Sequence, residues 1–151
     1  MILTSSDDAK LERARALGAD ATVNYRTTPA WGAAVRELTG NRGVDRVLDI
    51  GGPDTIAQSI QALRTGGTVA IIGRLTGTTP AQFDPAALFG GAKRLAGLMV
   101  GSREMSADLV RFVDTHALRP VIDKVFAFDD ARAAYAYLEK AQHLGKVVIA
   151  A

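Results

Sequence analysis

Arg46-Val47-Leu48-Asp49-Ile50-Gly51-Gly52-Pro53 is followed by Ile56, Ile60 and Leu63 at helical spacing and then by Gly66-Gly67-Thr68-Val69-Ala70-Ile71-Ile72. A short β-branched run closes on paired glycines, an apolar row with the helical period follows, and a second β-branched run comes next. That is a strand, a helix and a returning strand. A helical crossover of this length brings its second strand back parallel to the first.

The same alternation extends in both directions. Upstream, Met1 to Thr4 reads as a strand, and a helix capped by Ser6, with Asp7 and Asp8 in its first turn, carries Leu11, Ala14 and Leu17 inward and stops at Gly18. Ala21 to Asn24 is a strand, and Thr28-Pro29 open a helix with Trp31, Val35 and Leu38 inward, ended by Gly40. Downstream of the Thr68 to Ile72 strand, Asp84-Pro85 start a short helix through Phe89, and Arg94 to Val100 is a strand. Met105, Leu109, Phe112 and Val113 line a helix ending near His116. After Leu118 the rhythm changes: a helix from Asp129 with Ala131, Tyr135 and Leu138 inward precedes Gly145 and the strand Lys146 to Ile149. Repeated strand–helix units define an α/β, doubly wound parallel sheet.

Composition narrows the chemistry. With 151 residues, 48% of them hydrophobic, the chain is long enough to bury a core. The absence of Cys excludes disulfides, thiolate zinc sites and a Cys nucleophile within these residues and fits a reducing compartment, the cytoplasm. The 18 Lys and Arg against 16 Asp and Glu leave a net charge of +2, and three basic residues never occur in a row, so nucleic acid is not an expected partner. No apolar run approaches the ~20 residues of a membrane span.

In such sheets ligands bind outside the carboxyl ends of the strands. The residues there are Ser5-Ser6, Tyr25-Arg26, Asp49-Ile50-Gly51-Gly52, Gly73-Arg74 and Gly101-Ser102-Arg103. Hydroxyls, glycines and arginines suit an anionic, phosphorylated ligand, because glycine admits close approach of backbone amides and Arg grips phosphate with two donors. Asp49 at a strand end, with the acidic pair Asp7-Asp8, also imitates a phosphoacceptor receiver pocket, but no Lys-Pro follows the fifth strand. A Tyr-x-x-x-Lys pair of the short-chain dehydrogenases is missing: Glu139 and Ala141 stand four residues after Tyr135 and Tyr137. A non-catalytic interaction module is a further alternative.

The ordered series Leu11-Glu12-Arg13-Ala14-Arg15-Ala16-Leu17-Gly18-Ala19-Asp20, Val23-Asn24-Tyr25-Arg26, Gly43-Val44-Asp45, Asp49-Ile50-Gly51-Gly52, Gly66 to Gly73, Val100-Gly101-Ser102-Arg103 and Gly145-Lys146-Val147-Val148-Ile149 resembles the cofactor-binding portion of the medium-chain dehydrogenases/reductases. These are the zinc-type alcohol dehydrogenases and quinone oxidoreductases. The resemblance implies a Rossmann-like sheet that is incomplete, because the first strand and its glycine-rich turn have no counterpart and the 15 glycines include no Gly-x-Gly pair. It implies residues 1–118 as a truncated NAD(P)-binding domain and 119–151 as a helix and strand that pack on a catalytic domain. Zinc, where the full-length enzyme uses it, would be held outside this segment.

The resemblance also assigns residues. Aligning on Leu17-Gly18-Ala19 places Ser5 where NAD-preferring members carry an acidic group, so Ser5, Ser6, Lys10 and Tyr25 resemble the pattern for NADP in preference to NAD. A helix cap at Ser6, a solvated Lys10 and a packed Tyr25 are the plainer reading of the same residues. Gly51 and Gly73 match positions near the nicotinamide ribose and ring, Arg103 matches a position near the nicotinamide end in some relatives although an arginine that starts a helix is usually solvated, and Ser102 is assigned to cofactor binding beside it. No residue of the chain is assigned a catalytic role, and His116 reads as a partner of a helix C-terminus. The implied reaction is hydride transfer between the nicotinamide and an alcohol, aldehyde or quinone, with the chain alone inactive. The Arg94 to Val100 strand, which joins subunits in relatives, implies a homodimer. In the usual strand order the absent strand is central, and a rearranged Met1 to Thr4 or Lys146 to Ile149, or another chain, is expected to occupy its place.

Overall fold

The computed structural model describes residues 1–151. The chain divides into two compact units, Met1–Met99 and Val100–Ala151.

In the first unit the elements run β1 (Ile2–Ser5), α1 (Asp8–Ala16), β2 (Ala21–Asn24), α2 (Trp31–Leu38), β3 (Val44–Asp49), α3 (Ile56–Ala62), β4 (Leu63–Ile71), α4 (Ala86–Phe89) and β5 (Arg94–Gly97). All pairings are parallel: β1 with β2, and β3 with β4 with β5. Neither β1 nor β2 pairs with β3, so the ladder is interrupted within the unit. The core nevertheless crosses the break. Val23 of β2, Val35 of α2 and Ala62 of α3 form one cluster against Ile2, Trp31, Val44 and Val47. A second cluster of Ile56, Ile60, Leu63 and Val69 lies against Val47, Ile71, Phe83, Leu88 and Leu95.

Alternation along β3 sends Val47 and Asp49 inward and leaves Leu48 70% exposed. Leu48 is in register with Ala70, which is in register with Ala96. With Ile50, Ile72 and Leu98 exposed beyond the strand ends, the apolar character of these runs is that of strands built for cover on two faces.

Several expectations require correction. The cap of α1 is Asp7, whose carboxylate accepts from the Lys10 backbone N–H at 3.1 Å, and not Ser6. Leu17 and Leu38, placed inward by periodicity, are 61% and 53% exposed, each falling at the C-terminal end of its helix. Gly66-Gly67 do not precede β4 but lie inside it: α3 stops at Ala62, and Leu63 is already extended. The irregularity appears as a register shift between Val44 and Arg46 on β3. The strand from Arg94 ends at Gly97.

The second unit consists of α5 (Arg103–Thr115), β6 (Ile122–Ala127), a 3-10 turn (Phe128–Asp130), α6 (Ala131–Glu139) and β7 (Lys146–Ala150). β6 and β7 pair in parallel. The inward face of α6 is Ala131, Ala134 and Tyr137; Tyr135 and Leu138, expected inward, are exposed. One charged contact fixes the choice: the Tyr137 hydroxyl donates to the Asp123 carboxylate at 2.7 Å, whose other oxygen accepts from the Leu144 N–H at 3.1 Å. β1 and β7 pair with their sequence-adjacent strands β2 and β6, so neither rearranges into the interrupted ladder.

Candidate functional site

Two groups of residues stand at the carboxyl ends of the first unit's strands. The first is built on β1 and β2. The Tyr25 N–H donates to the Ser5 carbonyl at 3.0 Å, continuing the pairing of the two strands past their ends. The Ser5 hydroxyl accepts from the Asp7 N–H at 3.3 Å, while Asn24 donates to the Asp8 carboxylate at 2.7 Å and accepts from the Arg26 N–H at 2.9 Å. Ser5, Ser6 and Lys10 are half-buried, and Tyr25 is 44% exposed. The fold therefore gathers Ser5, Ser6, Lys10 and Tyr25 around the start of α1. Asp7 and Asp8 stand there too, Asp7 capping the helix and Asp8 holding Asn24.

The second group is built on β3 and β4, whose following loops are knitted together. The Asp49 carbonyl accepts from the Ile72 and Gly73 N–H groups at 2.8 and 3.3 Å, the Ile50 carbonyl from Leu75 at 3.2 Å, and the Gly51 carbonyl from Thr76 at 2.9 Å. Only glycines fit this contact. A Cβ on Gly52, whose φ is +93°, would lie 2.9 Å from the Arg74 Cα, and one on Gly73 would lie 2.7 Å from the Ile50 carbonyl oxygen. Gly51 and Gly73, singled out from sequence, are thus brought together.

Beneath this pair of loops lies Asp49, expected at the strand end with its carboxylate open to a ligand and found enclosed. The Asp49 side chain is 3% exposed. One carboxylate oxygen accepts from the Gly52 N–H at 2.9 Å and the Thr55 hydroxyl at 2.8 Å, and the other from the buried Ser59 hydroxyl at 2.6 Å. A carboxylate so enclosed is not presented for phosphorylation, which removes the receiver alternative's acceptor. The available signal was the hydroxyl pair at Thr55 and Ser59, four residues apart on one face of the coming helix.

Ser102 and Arg103 belong to the second unit. There the Ser102 hydroxyl accepts from the Met105 N–H at 3.2 Å, capping α5, and Arg103 is the helix's exposed first residue. His116 caps the other end, its Nδ1 2.8 Å from the Phe112 carbonyl and its ring stacked on Phe112.

Charge perturbation lies elsewhere. Asp45 is held at about 2, first by the hydrogen bond from Arg64 and then by that from Arg42. Burial lowers the Lys93 ammonium, which donates to the Ile60 carbonyl at 2.7 Å. The chain contains no grouping of three or more His, Cys, Asp or Glu side chains able to hold a metal ion. Its residues do not fit zinc. No helix is long and apolar enough to cross a membrane.

The model of the zinc-binding dehydrogenase family matches residues 17–149. A zinc-type alcohol dehydrogenase-like protein of Schizosaccharomyces pombe is 38% identical over 97% of this chain and 43% of its own length. A 2-haloacrylate reductase of a Burkholderia species is 33% identical over 99% of this chain and 47% of its own. Among solved structures, a putative alcohol dehydrogenase from Sinorhizobium meliloti superposes with a TM-score of 0.88 at 39% identity, over 98% of this chain and 42% of that one. An NAD-dependent alcohol dehydrogenase superposes at 0.86 with 35% identity, over 99% and 43%. The chain thus spans less than half the length of these relatives, and it belongs to the zinc-binding dehydrogenase family of the medium-chain dehydrogenase/reductase superfamily, as a Rossmann-type α/β portion.

Proposed function

We propose that this chain is the cofactor-binding portion of an NADP-preferring oxidoreductase that passes a hydride between the nicotinamide and an alcohol, aldehyde or quinone. The observation that carries the reading is the pair of strand-end groups in the first unit. Ser5, Ser6, Lys10 and Tyr25 offer hydroxyl and ammonium donors at β1 and β2, and the glycine loops after β3 and β4 offer close backbone approach. Hydroxyls and an ammonium donate to a 2′-phosphate, where a carboxylate in the Ser5 position would repel it. The bound nicotinamide supplies the hydride chemistry; the residues of this chain bind, orient and exclude water from it. Ser102 and Arg103, in the second unit, are proposed as cofactor contacts on the family resemblance alone.

In this reading the strand absent from the ladder lies between β1 and β3, and the residues that act on substrate, with zinc where it is used, lie outside this chain. The chain alone is inactive, works in the cytoplasm and pairs with a second copy through the outer edge of β5. Titration of the labelled 151-residue chain with NADPH and with NADH, read by amide chemical shifts, tests it. Tighter binding of NADPH, with shifts at Ser5, Ser6 and Lys10, is the expected result. Tighter NADH binding overturns the NADP preference, and NADPH turnover with an alcohol or quinone overturns the inactivity.

A further inference from the structure

We infer that Asp49 is a positioning residue for the nicotinamide half of the dinucleotide: its buried carboxylate, gripping the Gly52 N–H and the Thr55 and Ser59 hydroxyls, fixes the turn on which the Gly73–Thr76 loop is seated. The inference rests on the function proposed above. It starts from the cost of the arrangement, because a carboxylate that is 3% exposed forgoes its water shell and must be compensated by donors. Three are supplied, at 2.9, 2.8 and 2.6 Å, and two come from side chains at the start of α3, Thr55 just before the helix and Ser59 within it. Hydrogen bonds to a charged acceptor are the stronger kind, so the turn is clamped from below and its two ends cannot move independently.

The clamp is transmitted to the neighbouring loop. Thr76 donates to the Gly51 carbonyl through both its N–H at 2.9 Å and its hydroxyl at 3.1 Å, and its hydroxyl oxygen lies 3.2 Å from the Asp54 N–H. The Gly73 N–H reaches the carbonyl of Asp49 itself. One residue therefore orders the β3 loop through its side chain and the β4 loop through its backbone. Both carboxylate oxygens are engaged by these donors and the residue is 3% exposed, so Asp49 acts through the loops and not by touching a ligand.

The experiment compares two ligands on the 151-residue chain and on two variants, Asp49→Asn and Ser59→Ala: NADPH, and 2′,5′-ADP, which carries only the adenosine half. Adenosine-half binding depends on the β1 and β2 group, and a merely structural defect moves both ligands together. At least one variant that keeps the far-UV circular dichroism of the parent should lose NADPH affinity by about fivefold or more while 2′,5′-ADP changes by less than about twofold. The amides of Gly52 and Gly73 should also exchange faster in that variant. Equal losses for the two ligands, or no loss, in the folded variants overturn the inference alone. Should the unmodified chain bind neither ligand, the proposed function itself is overturned and the inference falls with it.

Discussion

The Gly73 Cα and the Ile50 carbonyl are so close that a methyl group on Gly73 would lie 2.7 Å from the Ile50 oxygen, with the Ile50 carbonyl carbon and Cα both at 3.4 Å. All three neighbours are backbone of the adjoining strand end, so none can rotate away. Gly73→Ala is expected to push the two loops apart and cost roughly 1–3 kcal/mol, the usual range for overpacking. Thermal unfolding followed by circular dichroism measures it; an unchanged midpoint would show that the loops are not in contact.

The two faces of the β3–β4–β5 sheet differ sharply. Ile60, 1% exposed, is enclosed by Leu63 and Val69, whereas Leu48 on the opposite face is 70% exposed. Ile60→Ala should therefore cost about 2–5 kcal/mol, through lost transfer energy and a cavity. Leu48→Ala should change stability by no more than about 0.5 kcal/mol. Denaturant titrations of the two variants decide; comparable losses would mean that Leu48 is covered in solution.

Reading from sequence reached the order of strands and helices because each βα unit carries its own punctuation: β-branched residues, then a turn, then apolar residues at helical spacing. It failed where burial depends on what an element meets. Leu17 and Leu38 continue their helical rows correctly, but each stands at the C-terminal end of its helix and is more than half exposed. On α6 the rows Ala131-Ala134 and Tyr135-Leu138 are equally apolar, and the hydrogen bond from Tyr137 to Asp123 turns the smaller residues inward. β6 escaped notice because Asp123 and Lys124 break its alternation, although Asp123 serves α6 and the segment before β7. Asp49 was legible as a strand-end carboxylate and read as facing a ligand. Its three donors come from residues 3, 6 and 10 positions later, which only the turn into α3 brings together.

Asp45 supplies a pH-dependent contribution whose sign is fixed. Its folded value, about 2, is below the ordinary 3.8, so its ion pairs with Arg64 and Arg42 contribute fully above about pH 4 and are lost as the pH falls toward 2. Asp45 and Arg42 are exposed and Arg64 is half-buried, so the effect is small and screened by salt. Asp45→Asn should be slightly less stable than the parent at pH 5 and low ionic strength, with the gap closing by pH 2 and in high salt. Urea midpoints at the two pH values measure it; a gap that widens in acid would refute the assignment.

In the second unit, stability should depend on Tyr137 beyond its ring. Tyr137 packs against Phe126 with ring centroids 5.7 Å apart, and the Lys124 ammonium lies 4.6 Å from the Phe126 centroid and 5.2 Å from that of Tyr137. Tyr137→Phe preserves both aromatic contacts and removes only the hydroxyl that donates to Asp123. A hydrogen bond to a carboxylate is worth about 1.5–3 kcal/mol, and the expected loss lies in that range. Hydrogen exchange on the β6 and β7 amides isolates this unit from the first. Faster exchange there, with rates in β3 to β5 unchanged, is the expected result, and equal exchange in variant and parent would reduce Tyr137 to an aromatic packing residue.

The outer edge of β5 carries the last prediction. β5 pairs only with β4, and the chain beyond it exposes Leu98 and Met99 at 52% and 91%. An unpaired parallel edge followed by exposed apolar residues invites pairing with another chain. The proposed dimer should place two β5 strands side by side, burying these side chains. Met99→Lys would set two like charges near the shared edge and drive the dimer apart without touching the core. Sedimentation equilibrium should give twice the chain mass for the parent and the monomer mass for the variant. A monomeric parent, or a variant as dimeric as the parent, excludes β5 as the edge that joins subunits.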